Sequence, residues 1–298
     1  MYGLSSSSAS RFSFNNSDNQ NSNSNCSSHL CKISTANPAS RQKITKLSKG
    51  VGSKAKTTFS KAKEKMKRIN NIYQNIICVE NLMIADAKAQ KSKQKKYGVI
   101  LHNKNRDSNI QVLHEMLKNK TYKTSNYDIF KVFEPKERDV YRLPYFPDRI
   151  CHHAVMNVLE SIFVAVFTTD SYSCIKGKGV HQASSNLRKA LKNTEETTYC
   201  LKLDIKKFYP NIDHNILKSL LRKKFKDEDL LCLLDEIIDS APGLPIGNYL
   251  SQYLANFYLT YFDHWIKENL AIKYYFRYAD DIVILHQDKK YLHQILNL

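Results

Sequence analysis

The chain has 298 residues, of which 42% are hydrophobic, and a formal net charge of +18. This hydrophobic content supports a folded core, so the composition excludes a protein that is disordered throughout. The excess of Lys and Arg favours a polyanionic partner such as nucleic acid, but charge alone does not exclude a basic protein with another role.

Disulfide-rich, zinc-binding and membrane-spanning classes have no support in the sequence. The seven cysteines form neither a Cys-x-x-Cys pair nor a His-Cys ligand pattern, which favours reduced thiols. No apolar run approaches the length of a membrane helix, and the N-terminus lacks the apolar segment of a secretory signal. We therefore expect a cytoplasmic protein.

The first third of the chain contains two polar segments. Residues 1–50 form a leader rich in Ser and Asn, with too few apolar residues to offset the entropy of ordering, so we expect disorder. Residues 51–96 are rich in Lys and are predicted to form a basic linker and a helical extension, because the apolar residues between Ile69 and Ile77 recur at helical spacing. The Lys clusters are either solvated charge or a phosphate-binding face.

The next segment predicts a helix, a hairpin and a second helix. Residues 109–118 have helical apolar spacing, and residues 127–132 have the composition of a strand that leads into the charged segment 133–144. A long helix is predicted after Pro147, with Asp148 as its N-cap. The adjacent His152 and His153 point in different directions on that helix and therefore make a poor metal site.

A glycine-containing loop and a strand follow. The two glycines around Lys178 allow the backbone to approach a nucleotide or template closely, but their spacing is not that of a Walker phosphate-binding loop. Residues 199–205 alternate as a strand, with Asp204 near its end. Residues 213–225, 230–238 and 249–267 have the apolar spacing of helices, and Asp213 and Asn248 are predicted N-caps.

The strongest functional signal lies at residues 274–285. Two β-branched and aromatic runs flank Ala279-Asp280-Asp281 and predict a hairpin with a tight turn at the acidic pair. Adjacent carboxylates between such apolar strands repel each other unless a cation, most naturally a divalent metal, meets them. We expect Asp204 and Asp280 to lie across neighbouring strands and to hold two Mg²⁺ ions suited to phosphoryl transfer.

Three motifs, in this order, resemble a reverse transcriptase: Asp-Ile-Lys-Lys-Phe-Tyr at 204–209, Gly-Leu-Pro-Ile-Gly-Asn-Tyr-Leu-Ser-Gln at 243–252, and Tyr-Ala-Asp-Asp at 278–281. Group II intron enzymes usually carry a Gln-Gly pair in the middle motif. Here Gly247-Asn248 followed by Ser251-Gln252 resembles the enzymes of diversity-generating retroelements. The resemblance implies an α/β (α+β) fold over residues 97–298, with right-hand fingers and a palm whose antiparallel sheet packs on helices. Because such enzymes continue into a thumb and this chain ends soon after Asp281, a truncated form without a thumb is expected.

The resemblance also assigns roles to individual residues. The catalytic carboxylates would be Asp204, Asp280 and Asp281, and two Mg²⁺ ions would be held by Asp204, Ile205, Asp280 and Asp281, with Asp281 the weaker ligand. The nucleotide would contact Lys136, Arg138 and Arg142 of the predicted hairpin, Tyr209, which would select against a ribose, and Ile246, Gly247, Asn248 and Gln252. The nucleic acid would contact Lys176, Lys178 and Ser251.

The function implied by the resemblance is RNA-directed DNA synthesis that is error-prone opposite template adenines. Its partners would be template-repeat RNA, a DNA or RNA primer, deoxynucleoside triphosphates and a small basic accessory protein, with no membrane, and the Asn-rich leader would be a template repeat translated in frame. The alternatives are a group II intron, retron or defence-type reverse transcriptase, and a thumbless, non-catalytic RNA-binding remnant. The three carboxylates argue against the remnant, which would have no use for costly charges.

Overall fold

The computed structural model describes residues 68–133 and 137–298. The predicted leader (1–50), the first part of the predicted linker (51–67) and Lys136 lie outside the described residues. The described chain divides into two compact units. We call residues 68–169 and 207–273 the helical unit, and residues 170–206 and 274–298 the sheet unit. The chain therefore leaves the sheet unit after residue 206 and returns to it at residue 274.

The described residues form ten α-helices and five β-strands. In chain order these are α1 (Tyr73–Ile77), α2 (Val79–Gln90), α3 (Tyr97–Lys104), α4 (Arg106–Lys118), β1 (Asp128–Val132), β2 (Arg138–Arg142), α5 (Ile150–Val166), α6 (Val180–Leu191), β3 (Tyr199–Asp204), α7 (His214–Lys224), α8 (Glu228–Asp239), α9 (Tyr249–His264), β4 (Tyr274–Tyr278), β5 (Asp281–His286) and α10 (Lys289–Leu296). The predicted helices and strands are present, although α3, α6 and α10 were not predicted, and the antiparallel pairs confirm the predicted α+β class.

The sheet unit is built on an antiparallel sheet with the strand order β3-β5-β4. Alternation along β5 places the buried Ile282 and Ile284 on one face, and Asp281 and Leu285 on the other. Helix α6 packs Leu187 against Leu285 on this second face. Leu285 lies near the C-terminal end of β5, whereas Asp281 is its first residue. Asp281 is therefore outside this packed cluster.

Helix α5 is the central helix of the helical unit. It packs against α2 and α9, and Ile150, Val155, Leu159 and Phe163 are fully buried. By length and composition alone, the described segment Tyr145–Val166 is apolar enough to cross a membrane, which the sequence had not predicted. Packing among other helices accounts for this apolar character as well.

Asp148 does not cap α5, and that prediction is wrong. Its side chain is fully buried and accepts hydrogen bonds from the Tyr122 hydroxyl (2.8 Å) and the Ser125 amide (3.1 Å). Phe146 has non-helical backbone angles (φ −106°, ψ 134°), and Asp148 follows it by two residues, so Asp148 lies within the first helical turn and not at the cap position. Bonds to a distant part of the chain therefore take the place of the local cap.

The two adjacent histidines of α5 act in packing. His152 is buried, and His153 stacks on the Tyr249 ring with 5.0 Å between the ring centroids. Burial lowers the pKa of each imidazole to about 4. Both rings are therefore neutral at pH 7, which suits their position among apolar side chains.

Two Asp side chains hold helix N-termini in the helical unit. Asp213 caps α7 through a side-chain hydrogen bond, which confirms the predicted cap. Asp227 caps α8 by accepting from the Leu230 amide (3.2 Å), and its second oxygen accepts from the Ile72 and Tyr73 amides (2.7 and 2.9 Å) at the start of α1. One carboxylate thus joins two helices that are distant in sequence.

We predict that Asp227→Ala destabilises the protein by about 2–4 kcal/mol, because three backbone N–H groups lose their acceptor. Urea unfolding followed by circular dichroism measures the change. The matched control is Asp213→Ala, which removes one capping bond and should cost about 1 kcal/mol. Equal losses in the two variants would contradict the bridging role of Asp227.

Candidate active site

The sheet unit places two carboxylates opposite each other. In the β3–β5 pair, Asp204 is the cross-strand partner of Asp281, so both side chains lie on the same face of the sheet. Asp204 is exposed, and the half-exposed Asp281 carboxylate lies 3.9 Å from the Lys202 ammonium. Tyr278 of β4 is the next residue across on this face. Two carboxylates therefore lie opposite each other on this face, at the end of the sheet away from the contact with α6.

The turn between β4 and β5 consists of Ala279 and Asp280. Because Asp281 is already the first residue of β5, Asp281 is the cross-strand partner of Asp204, and Asp280 lies in the turn directly beside this pair. The Asp280 carbonyl accepts a hydrogen bond from the Ile205 amide at 3.4 Å. The residue after Asp204 is thereby tied to the turn, and all three aspartates belong to the same end of the sheet.

Arg277 supports this turn, and the sequence analysis did not single it out. Its side chain is buried, and its guanidinium donates to the Ala279 carbonyl (3.0 Å) and the Ser171 hydroxyl (3.2 Å). Ala279 has a φ of 55°, a left-handed conformation that costs a residue with a Cβ about 1–2 kcal/mol. The guanidinium helps to hold that conformation. A charged residue within an otherwise apolar strand was the signal that could have identified it.

The donor atoms at this end of the sheet suit a hard divalent cation. Carboxylate and carbonyl oxygens are the ligands that Mg²⁺ prefers, and Asp204 and Asp281 already face each other. Within residues 68–133 and 137–298, no three Asp, Glu, His or Cys side chains are clustered closely enough to hold a metal. The oxygen atoms of these residues are therefore suitable ligands for Mg²⁺. Among the proposed ligands, Asp204 and Asp281 are the pair that the fold places opposite each other.

The second group of predicted residues lies in the helical unit, in the loop 243–247. A Cβ at Gly243 (φ 60°) would overlap the Tyr209 carbonyl, and a Cβ at Gly247 (φ 118°) would lie 2.7 Å from the Tyr141 carbonyl oxygen. Between them, the Ile246 carbonyl accepts from the Tyr141 amide at 2.8 Å. Both positions require glycine, because the loop backbone lies directly against the Tyr209 carbonyl and against the Tyr141 carbonyl of β2.

The predicted binding residues at the start of α9 differ in their exposure to solvent. Asn248 is buried, and its side chain makes no capping bond, contrary to prediction. Its side-chain amide instead donates to the Tyr127 hydroxyl (3.1 Å), and that hydroxyl also contacts the Ser240 hydroxyl (2.8 Å). Ser251 is buried as well, whereas Gln252 is exposed. Of the polar residues in this motif, Gln252 is therefore the one that can reach a ligand directly, and Tyr127 positions Asn248.

Two adjacent aromatic rings follow β3 and differ in burial. Phe208 is buried in the core. Tyr209 is half-buried and meets the Phe208 ring edge-on, with 5.6 Å between the centroids. Tyr209 therefore retains an accessible ring surface, as a contact with a sugar would require.

The hairpin of β1 and β2 carries the predicted cations. Arg142 forms an ion pair with Asp128 and lies over the Phe130 ring, 5.6 Å from its centroid. Arg138 is half-buried and forms no ion pair with another described residue, while Lys136 lies outside the described residues. Arg138 is thus the described cation of the hairpin that is most available to a new anion.

The loop around Lys178 is anchored within the sheet unit. The Lys178 ammonium donates to the Ser171 carbonyl (3.2 Å) and lies 5.6 Å from the Tyr172 ring centroid, and burial lowers its pKa. The Tyr172 amide donates to the Arg277 carbonyl at 3.0 Å. Lys176 is exposed. Lys178 therefore stabilises its own loop, and Lys176 is the more accessible charge.

A family model described as reverse transcriptase (RNA-dependent DNA polymerase) matches residues 134–298, which is more than half of the chain. The match includes the three aspartates and the loop before α9.

Similarity to curated proteins covers part of each sequence. An uncharacterised 91 kDa protein in a cob intron of Schizosaccharomyces pombe is 30% identical over 138 residues, which are 43% of this chain and 17% of that protein. The group II intron-encoded protein LtrA of Lactococcus lactis is 28% identical over 135 residues, 42% of this chain and 22% of that protein. The chain therefore spans less than a quarter of the length of either relative.

Among solved structures, a chain of a partial Cas6-RT-Cas1-Cas2 complex is 23% identical, with a TM-score of 0.42. The similarity covers 74% of this chain and 39% of that chain.

We predict that Gly247→Ala destabilises the loop by about 1–3 kcal/mol, because an alanine there would meet the Tyr141 carbonyl and adopt a left-handed φ. Hydrogen exchange of the Tyr141 amide, which bonds to the Ile246 carbonyl, should become faster. Gly179→Ala is the control, since Gly179 has an extended φ of 176° and nothing lies within 4 Å of its added Cβ. An unchanged exchange rate in Gly247→Ala would contradict the close approach.

Proposed function

The chain belongs to the reverse transcriptase (RNA-dependent DNA polymerase) family, and from this premise we propose that it synthesises DNA on an RNA template. The observation that carries the proposal is the pairing of Asp204 with Asp281, next to Asp280, at one end of β3 and β5. In the proposed reaction a primer 3′-hydroxyl attacks the α-phosphate of a deoxynucleoside triphosphate, and pyrophosphate leaves.

The carboxylates are proposed to hold two Mg²⁺ ions. Asp204, Asp280 and Asp281 would hold them, and Ile205, which has no side-chain oxygen, would contribute its carbonyl. The direct pairing of Asp281 with Asp204 supports a fuller role for Asp281 than that of a weak ligand. Lys202, 3.9 Å from Asp281, offsets part of the negative charge at this site. When bound, the ions would lower the pKa of the primer hydroxyl and neutralise charge on the leaving group.

Residues of the helical unit are proposed to position the nucleotide. Arg138 would contact the triphosphate, because Arg142 is already paired with Asp128. The accessible ring of Tyr209 would exclude a ribose 2′-hydroxyl. Gln252, exposed at the start of α9, would contact the template base or the nucleotide. Each role follows from accessibility within the helical unit, together with the family motif.

We further propose that the enzyme is of the diversity-generating retroelement type. The supporting feature is the sequence Gly247-Asn248 followed by Ser251-Gln252, which replaces the Gln-Gly pair of intron enzymes. This assignment implies error-prone copying of template adenines, a template-repeat RNA and a small basic accessory protein as partners. The buried bond between Asn248 and Tyr127 gives the motif a fixed side-chain geometry.

The second candidate is an intron-type reverse transcriptase. Two of the similar proteins are named for introns, one in a cob intron and one encoded by a group II intron. An enzyme of that type would copy all four template bases with similar fidelity. Measuring the errors made at each template base therefore separates the two candidates.

We predict that Asp204→Asn and Asp281→Asn each reduce incorporation of labelled deoxynucleotides on an RNA template by at least about 10²-fold, because charge stabilisation at a bound metal amounts to several kcal/mol. RNA binding should persist in both variants. Chelation of Mg²⁺ should abolish incorporation by the unmodified chain. Asp213→Asn, which keeps a capping side chain, is the control for the loss of a carboxylate. Full activity of Asp204→Asn would exclude the proposed chemistry.

We predict that misincorporation concentrates opposite template adenine, and that Gln252→Ala changes the error rate at adenine more than at the other bases. Sequencing of the DNA made on a defined RNA with all four bases measures both effects. Tyr127→Phe tests positioning, because it leaves the Asn248 amide without its acceptor. Uniform errors at all four bases would instead support the intron-type enzyme.

A further inference from the structure

A basic cluster lies on the surface of the helical unit, outside every motif assigned to polymerisation. Its members are Arg68, Lys223, Lys224 and Lys226, which belong to the end of α7 and to the segments that adjoin it. Arg68, Lys223 and Lys226 are exposed, and Lys224 is half-buried. Four cations therefore meet solvent at one end of one helix.

Backbone hydrogen bonds hold the cluster together. The Ile69 amide donates to the Lys224 carbonyl (3.0 Å), and the Lys226 amide donates to the Ile69 carbonyl (2.7 Å), which forms a short parallel bridge between Ile69 and Phe225. Phe225 is fully buried. Phe225 has an extended backbone, so its neighbour Lys226 points away from the core and is exposed, as is Arg68 beside Ile69.

No carboxylate of the described residues neutralises a cation of the cluster. Arg222, the neighbouring cation, is paired with Asp235, whereas the four cluster members form no ion pair with another described residue. Lys223 and Lys224 are near the C-terminal end of α7, where positive charge interacts favourably with the helix dipole. Arg68 lies outside the helix, but its guanidinium donates to the Arg222 carbonyl in the last turn at 3.5 Å. Lys226 lies beyond the end of the helix, so the dipole does not explain its position.

An aromatic ring adjoins the cations. The Lys223 ammonium lies 5.3 Å from the centroid of the Tyr261 ring, and Tyr261 is 36% exposed on α9. Surfaces that bind single-stranded nucleic acid combine cations for the backbone with aromatic rings on which bases stack. The cluster and Tyr261 together have both components.

We propose that the basic cluster and Tyr261 form a second RNA-binding surface, which contacts the phosphates of a single-stranded segment and stacks one base on the ring. The choice of RNA rests on the proposed function, because the enzyme would use an RNA template. A membrane surface fits less well, since interfacial binding requires several apolar side chains beside the cations. Of the five residues in the proposed surface, Tyr261 alone has a large apolar side chain.

The experiment measures binding of a fluorescent single-stranded RNA across a range of salt concentrations. In the triple variant Lys223→Gln, Lys224→Gln and Lys226→Gln, affinity at ~0.1 M salt should fall at least about 10-fold, and the slope of log affinity against log salt should become shallower by about 2, at ~0.7 per lost phosphate contact. Tyr261→Leu should weaken binding and leave the slope unchanged. The slope does not depend on the fraction of protein that is folded, so it separates lost contacts from misfolding.

The control triple variant is Lys104→Gln, Lys192→Gln and Lys289→Gln, which removes the same charge from exposed residues elsewhere. An unchanged slope in the cluster variant, or an equal change in the control, would overturn the proposal. So would a cluster variant that loses binding to anionic vesicles and keeps its RNA affinity. Incorporation on a saturating, short primer-template should remain unchanged in the cluster variant. Loss of incorporation in Asp204→Asn with a normal salt slope tests the proposed function separately.

Discussion

The candidate active site depends on the register between β3 and β5. Because side chains alternate, a shift of one residue would turn Asp204 toward the face that carries Ile282 and Ile284. Those two isoleucines are buried, so such a shift would expose apolar surface and bury charge. Burial of these isoleucines on one face of the sheet therefore keeps the carboxylates exposed on the other face. The positions of Asp204 and Asp281 are in this sense a consequence of hydrophobic packing.

A second constraint comes from buried charged groups that link distant segments. Arg277 connects the loop at Ser171 with the turn at Ala279, so the segment before Lys178 and the acidic turn share one anchor. In the helical unit, Asp227 has the same effect on two helices. Removing one partner from such a buried arrangement leaves polar groups unsatisfied, which costs more than the bond itself contributes. These residues stabilise the positions of the functional groups without contacting a substrate.

Local sequence predicted those features whose cause is local. The strands and most helices follow from apolar spacing, and Asp213 caps its helix because its acceptor and the amide it meets are three residues apart. Asp148 and Asn248 bind hydroxyl groups far away in the chain, so the capping pattern could not reveal their partners. The pairing of Asp281 with Asp204 depends on where the turn begins, and a run of β-branched and aromatic residues does not fix that point. Ser171, one of the two partners of Arg277, also comes from another part of the chain, so the strand pattern could not reveal that bond.

The division of the sheet unit into two stretches has a consequence for synthesis on the ribosome. Strand β3 has β5 as its neighbour in the sheet, and β5 emerges only after the intervening part of the helical unit has been made. At ~5–20 residues per second, roughly 80 residues separate the two strands by on the order of 4–16 s. During that interval β3, with its unsatisfied backbone groups and apolar side chains, is a nascent strand without its partner. The candidate active site can assemble only when the last residues of the hairpin have left the exit tunnel, so it forms after the intervening part of the helical unit has been synthesised.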